Sequence, residues 1–259
     1  MNYGLYLSAS GVLTNSYRQD VFANNLANVN TVGFKPDLPT LSPRPAEADE
    51  DPTPLGTANA LLDRLGGGVL AGPQRTSFAA GPVEQTGRAL DFAFTDSTSF
   101  LSVEHTDPAT GRADVRLTRD GRLALDGTGY LVTAAGHRVL GGNDQPIQLA
   151  PGVPVMLTPD GRLQQNGNDA ATLAVATVND TTQLKKTGAN LFAFAGDDPR
   201  TKTSIPDLRV GALESSATNP ISTMMAVMAS GKAAQSNGRM IQYHDQLMDR
   251  AVNTLGRVA

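Results

Sequence analysis

Cysteine and tryptophan are absent from the 259 residues, and 8 Phe and 5 Tyr supply all the aromatic surface. Without cysteine there is no disulfide, thiolate metal site or thiol nucleophile. Its absence also fits a protein that crosses to an oxidising compartment. Without tryptophan, a carbohydrate-binding face built on stacking is disfavoured. The net charge is −4 and no basic run stands out, which argues against nucleic acid as a main partner. No apolar run approaches the ~20 residues of a membrane span, so no direct membrane insertion is expected. Met1-Asn2-Tyr3-Gly4 carry no positive charge and no apolar stretch follows, so no secretory signal peptide is expected. The three histidines, His105, His137 and His244, are far apart in sequence. None has a partner at metal-ligand spacing, so each is expected to be a surface or hydrogen-bonded histidine and no metal is expected. No Gly-x-Ser-x-Gly elbow occurs. Asp91, Asp120, Asp126 and Asp160 could be posed as a carboxylate pair, but the last three fall in turn signals, where Asp serves the backbone. No catalytic residue and no cofactor is expected.

What is present begins with a helical pattern. Leu5, Ala9, Val12, Ser16, Ala23 and Leu26 recur at alternating steps of three and four, the seam of a helix that packs on another helix. Gln19 interrupts the seam, and its small members suit close approach. The expected helix runs from about Asn2 to Asn30, on the order of 40 Å. Asn24 and Asn28 share a helix face. Asparagine costs helix propensity, and two readings of the cluster stay open. It fixes register at a helix–helix seam, or it caps a fraying end before Gly33, a C-terminal cap.

From Pro36 to Pro54 six prolines, with Glu47, Asp49, Glu50 and Asp51 adding charge, describe an extended arm. A short helical piece is expected at Ala58–Leu65. Gly66-Gly67-Gly68 is a hinge or turn, since it lacks the Gly-Lys-Ser/Thr ending of a phosphate loop. From Thr76 to Leu208 short runs alternate: Ser99–Glu104, Ala113–Thr118, Arg122–Leu125, Tyr130–Thr133, Ile147–Leu149, Val153–Leu157, Ala171–Val178 and Leu191–Ala195. Asp-Gly, Asn-Gly and Asp107-Pro108 turn signals separate them, the pattern of an antiparallel all-β domain. Thr118-Arg119-Asp120-Gly121-Arg122-Leu123 is echoed by Thr158-Pro159-Asp160-Gly161-Arg162-Leu163, and the echo predicts two similar hairpin turns.

The last segment returns to helix, with Asn219 as N-cap and Pro220 at the first position. Val227, Ala234, Ile241, Met248 and Leu255 recur every seven residues. Ala226, Ala233, Met240 and Leu247 stand one position before, completing a narrow apolar stripe. Ile221, Met224, Met225 and Met228 thicken its start, and methionine suits adaptable packing.

Ala23-Asn24-Asn25-Leu26-Ala27-Asn28-Val29-Asn30-Thr31-Val32-Gly33-Phe34-Lys35 resembles the N-terminal signature of the flagellar rod and hook proteins. The stretch Gly81–Ala93 is similar to the family segment that leads to Thr-Gly and Leu-Asp. Leu117-Thr118-Arg119-Asp120-Gly121 with Gly129-Tyr130-Leu131-Val132 is similar to its Tyr-Thr-Arg-x-Gly and Gly-x-Leu-Val run. Gly188–Phe192, Gly211-Ala212-Leu213-Glu214 and Leu213–Ile241 fit later stretches. Thr95-Asp96-Ser97-Thr98-Ser99 departs from the family's Gly-containing run, so a reshaped loop is expected there. At Ser222, Thr223, Lys232 and Ala234 the sequence departs from the acidic residues, Arg and Tyr common in the family, so inter-subunit ion pairs inferred from relatives do not carry to those positions.

The resemblance implies an α+β chain. N- and C-terminal α-helices would form a coiled-coil-like domain flanking a central antiparallel all-β domain. The expected division is a helical segment 1–35, a Pro/Gly-rich arm 36–75, a β-rich domain 76–210 and a C-terminal helical segment 211–259. The implied function is that of a structural, non-enzymatic rod subunit, closer to the proximal than the distal rod. The helices would line an inner tube that transmits torque and carries the export channel. The implied partners are the chain itself, other flagellar rod and hook subunits, and the flagellar export apparatus, which would pass the chain without a cleaved signal to the basal body. The implied assembly interface comprises Leu5, Ala9, Val12, Asn24, Asn25, Leu26, Asn28, Gly33, Phe34, Val227, Ala234, Ile241 and Met248. The alternative is a secreted β-rich binding module of adhesin-like type with helical ends.

Overall fold

In the computed structural model, residues 3–45, 66–106, 111–194, 201–202 and 206–255 are described. The helix expected at Ala58–Leu65 and the Asp107-Pro108 turn lie outside them, as does the side chain of Leu255. The fold is α+β, with an N-terminal helix α1 (Tyr3–Ala27), a central antiparallel β region and a C-terminal helix α2 (Pro220–Arg250). Two compact units result. One contains 1–26, 37–75 and 220–259; the other contains 27–36 and 76–219.

In the helical unit α1 holds two glycines and no proline. Its small polar side chains turn back on their own backbone. Ser8 Oγ donates to Gly4 O at 2.8 Å, and Asn15 Nδ2 to Gly11 O at 2.8 Å. Such back-bonding satisfies polar groups that a packed face would otherwise strand. α2 begins at Pro220 as its capping pattern predicts. The arm's strand Leu41–Pro43 pairs with Val69–Ala71. Gly66–Gly68 continues that pairing: Arg44 N donates to Gly68 O at 2.9 Å and Gly67 N to Arg44 O at 3.2 Å.

In the β unit the spine is the strand Ser99–Thr106, which pairs with Ala113–Thr118, Arg138–Val139 and Val175–Thr177. It sits inside a nine-stranded sheet. Successive side chains leave a strand on opposite faces, and this strand buries both. Leu101 and Val103 enter a core with Leu123, Leu131, Val139 and Leu163. Phe100 enters a second core with Leu117, Phe192 and Val178. In the second core Phe100 stands edge-on to Phe78 and Phe192 at 5.7 and 5.8 Å, the arrangement the ring quadrupoles favour.

Several expectations shift. Ile147–Leu149 makes only an isolated bridge, Tyr130 with Gln148, and no strand. Ala171–Val178 divides into two strands, Asn168–Thr172 and Val175–Thr177, because each finds a different neighbour. Strands at Val83–Gln85, Phe92–Phe94, Leu184–Gly188, Leu208–Val210 and Ala212–Glu214 are too short or too interrupted to show a period of two. Asn166-Gly167 forms the expected two-residue hairpin, with φ of 52° and 78° joining Gln165 to its partner Asn168. The echoed hexapeptides differ. The second is a hairpin, with Thr158 N donating to Arg162 O at 2.9 Å. The first leaves its sheet at Thr118, because Arg119 turns into the interior.

Gly121 tests this turn. A Cβ there would collide with the backbone oxygen of Phe92, whereas one on Gly127 meets nothing within 4 Å. Gly121→Ala is expected to destabilise the protein by about 2 kcal/mol or more, read as a lower thermal midpoint. Gly127→Ala should leave that midpoint within the range of a surface change.

Candidate assembly site

Within the β unit three sequence-distant charges meet with almost no exposure: Lys35 0%, Arg119 1% and Glu214 2%. Lys35 Nζ donates to Glu214 Oε1 at 2.7 Å and to Ala79 O at 2.8 Å. Arg119 Nε donates to Glu214 Oε2 at 2.8 Å. Its Nη1 and Nη2 donate to Ser99 O and Asp96 O, both at 2.7 Å. Gly81 N donates to Glu214 Oε1 at 2.8 Å. The guanidinium also lies 5.1 Å and 5.5 Å from the Phe94 and Phe100 ring centres, within cation–π reach.

The elements that deliver these groups follow from the sequence. Gly33 has φ +66°, and a Cβ there would strike the Arg119 carbonyl; its N–H donates to Glu214 O at 2.7 Å. The segment 31–35 is further held by Asn190 Nδ2, which donates to Val32 O at 2.8 Å. Lys186 Nζ donates to Lys35 O and stands 4.2 Å from the Phe34 ring centre. The loop that departs from the family pattern is closed by Asp96, whose Oδ1 accepts from Ser99 N at 2.9 Å. That closure aims the Asp96 carbonyl at Arg119. Asp91, buried, accepts from Thr86 Oγ1 at 2.8 Å and from Gly211 N through its own carbonyl at 2.7 Å.

Burial pushes the Lys35 ammonium below the usual lysine value, and Arg119 pushes it further down against the pull of Glu214. For Glu214 burial is the largest influence and pushes upward, but Arg119, Lys35 and the Gly81 N–H together outweigh it. The carboxyl is held below its ordinary 4.5. Burial raises Asp120, the opposite direction.

Sequence reasoning did not single out this triad. Each member lies within a stretch that carries the family resemblance: Lys35 in Ala23–Lys35, Arg119 in Leu117–Gly121 and Glu214 in Gly211–Glu214. Two basic residues and one acidic residue within those three stretches were the available signal.

The expected interface residues divide between the units. Phe34 and Gly33 are buried inside the β unit. Gly33 is not a helix cap, because α1 ends at Ala27 and a turn intervenes. Asn28 closes that turn, its carbonyl accepting from Thr31 N at 3.1 Å. Asn25 is buried in the helical unit. Its Nδ2 donates to Asp37 O at 2.7 Å, and its Oδ1 accepts from Asp37 N at 2.9 Å, so it pairs with backbone as a strand neighbour would. Asn24 and Ala23 are exposed, while Leu5, Ala9, Val12 and Leu26 are half-buried on α1.

On α2, Val227, Ala234, Ile241 and Met248 are half-buried. Their companions at three-four spacing are Ser230, Asn237 and His244, which are buried or half-buried. Met240 and Leu247, expected in the stripe, instead face outward at 47% and 60% exposure. Glycine explains the polar companions. A Cβ on Gly4 would stand 2.7 Å from His244 Cε1, and one on Gly11 would stand 2.5 Å from Asn237 Nδ2. Gln19 lies against Gly231. The matched pairs run in reverse order, as antiparallel helices require. Outside this seam, Tyr6 and Leu13 on α1 and Ile221, Met225, Met228 and Tyr243 on α2 remain exposed.

His105 and His137 stand with ring centres 5.2 Å apart, and burial together with His105 lowers the pKa of His137. Among the described residues, no group of three or more His, Cys, Asp or Glu is placed to hold a metal ion. No helix there is long and apolar enough to cross a membrane.

Residues 5–35 match the family described as flagella basal body rod protein. The chain is 29% identical to flagellar basal-body rod protein FlgF of Rhizobium meliloti, over 99% of each chain. It is 27% identical to FlgF of Caulobacter vibrioides, over 100% of each. It is 28% identical to FlgG of Bacillus subtilis, over 96% of this chain and 97% of the relative. The chain is similar to flagellar basal-body rod proteins along its length. The resemblance to rod proteins drawn from short motifs therefore extends along the whole sequence, and Lys35, the first member of the triad, closes the matched segment.

Glu214 sets a pH dependence. Because the folded carboxyl ionises below its ordinary value, its stabilising contribution is complete above that value and is lost as pH falls through the folded one. Glu214→Gln strands two buried cations and should cost about 3–5 kcal/mol at neutral pH. Thermal unfolding between pH 7 and pH 3 is expected to show a smaller acid loss in the variant than in the parent. An unchanged acid slope would contradict the assignment.

Proposed function

We propose that the chain is a structural subunit of the flagellar basal-body rod, without catalytic activity. The observation that carries this reading is similarity to rod proteins over the full length of both chains. Supporting it, α1 and α2 carry exposed apolar side chains beyond the seam they share, and contiguous exposed apolar surface marks an interaction site.

In this reading the terminal helices, Tyr3–Ala27 and Pro220–Arg250, pack in coiled-coil fashion with neighbouring copies and with other rod and hook subunits. The β-rich part, 76–210, forms an outer layer. A contact repeated head to tail builds an open helical filament, which would transmit torque and leave an axial channel for export. The chain's place is the basal body, reached through the flagellar export apparatus without a cleaved signal. The Thr86-Gly87-Arg88-Ala89-Leu90-Asp91 stretch supports the proximal segment of the rod. Leu5, Ala9, Val12, Leu26, Val227, Ala234, Ile241 and Met248 are the proposed helical contacts; the buried Gly33 and Phe34 act through the fold of the β unit.

Concentration dependence tests the reading. Sedimentation and circular dichroism of the full chain should show mass and helix content rising together. Leu26→Pro and Ile241→Pro each break a helix at a cost of about 3 kcal/mol or more. Both are expected to abolish assembly while the β unit keeps its unfolding transition. Normal filaments from either variant would sink the helical-contact reading.

A further inference from the structure

His105 lies near the end of the strand Ser99–Thr106, and His137 directly precedes Arg138–Val139. These strands are antiparallel, with Val139 opposite Val103 and Arg138 opposite Glu104. One step further in the same register brings His137 opposite His105. Directly opposed residues leave a sheet on the same face, and the rings meet at 5.2 Å with 69° between their planes. On the other flank of His105, Asp114 stands opposite it in the neighbouring strand. Three adjacent strands thus place Asp114, His105 and His137 in one row.

Two atoms in this row are unaccounted for. His105 Nδ1 and His137 Nε2 are both buried and have no hydrogen-bond partner. A neutral imidazole offers one donor and one acceptor, and buried polar atoms in folded proteins are normally paired. Here two orphaned nitrogens belong to two rings in contact. With metal–nitrogen bonds of about 2.0–2.1 Å, two imidazoles on one tetrahedral ion have ring centres about 5 Å apart. The observed spacing meets that requirement. The Asp114 carboxylate on that flank is engaged by Arg116 at 3.1 Å.

We propose that His105 and His137 form a two-histidine chelate for a divalent transition-metal ion of the nickel, copper or zinc class. Imidazole is a preferred ligand for these ions, and water completes the coordination. Binding joins the end of the Ser99–Thr106 strand to the start of Arg138–Val139. Because the unfolded chain does not hold the two rings together, bound metal stabilises the native state by mass action.

The test uses the full chain and its only three histidines. Titration with NiCl2 should give one ion per chain and a higher thermal midpoint. His105→Gln and His137→Gln should each weaken binding at least tenfold, and His244→Gln should leave it unchanged. Unaltered affinity in either of the first two variants would overturn the proposal. A measurement on the unmodified chain guards against folding effects. Substoichiometric CuCl2 should broaden the ring NMR signals of His105 and His137 while sparing those of His244. Equal broadening of all three, or of none, would equally overturn it.

Discussion

Everything in the β unit depends on a constraint at its centre: two cations and one carboxylate are buried together and cannot be left unpaired. Removing one partner of a buried ion pair costs more than the pair itself contributes. The excess positive charge of Lys35 and Arg119 is absorbed by three carbonyls, those of Ala79, Ser99 and Asp96. Each carbonyl must therefore be in place, which fixes the start of the spine strand, the loop before it and the stretch leading to Gly81. Gly33 and Gly81 allow backbone to approach where any side chain would collide. Pairing of this kind favours one arrangement of segments over its competitors.

The helical unit meets a different constraint. Its seam is built from glycine opposite polar side chains, Gly4 with His244 and Gly11 with Asn237. Those glycine–polar contacts bury little apolar area and so contribute little by the hydrophobic effect. Register comes instead from steric fit. The larger apolar groups, Met225, Met228 and Tyr243 among them, remain on the outside. A helical unit with its strongest apolar surface outward is suited to finding that surface a partner, as the proposed rod role would require.

Much of this was legible in the sequence. Both helices announce themselves through long three-four spacing, and Pro220 marks the start of α2. Strands such as Ala113–Thr118 and the Asn166-Gly167 hairpin follow from local rules. The seam of α2 was legible only in half. Val227, Ala234, Ile241 and Met248 are apolar, but their true companions, Ser230, Asn237 and His244, are polar and so invisible to a hydrophobic pattern. The triad was hidden for a related reason. Its members are 84 residues apart (35 to 119) and 95 apart (119 to 214), and no periodicity links them. The Arg119 turn also defeated a local rule: it copies the Thr158 hairpin in sequence, yet Pro159 has no side chain that could reach a buried carboxylate.

Hydrogen–deuterium exchange on the dilute chain, read peptide by peptide, tests the central claim most directly. If the buried triad organises the β unit, amides of Gly33–Lys35 and Ala212–Glu214 will exchange as slowly as those of Ser99–Thr106 and Ala113–Thr118. They will all become fast together in Glu214→Gln. Rapid exchange of the Gly33–Lys35 peptide in the unmodified chain, with the spine strand still protected, would contradict the account.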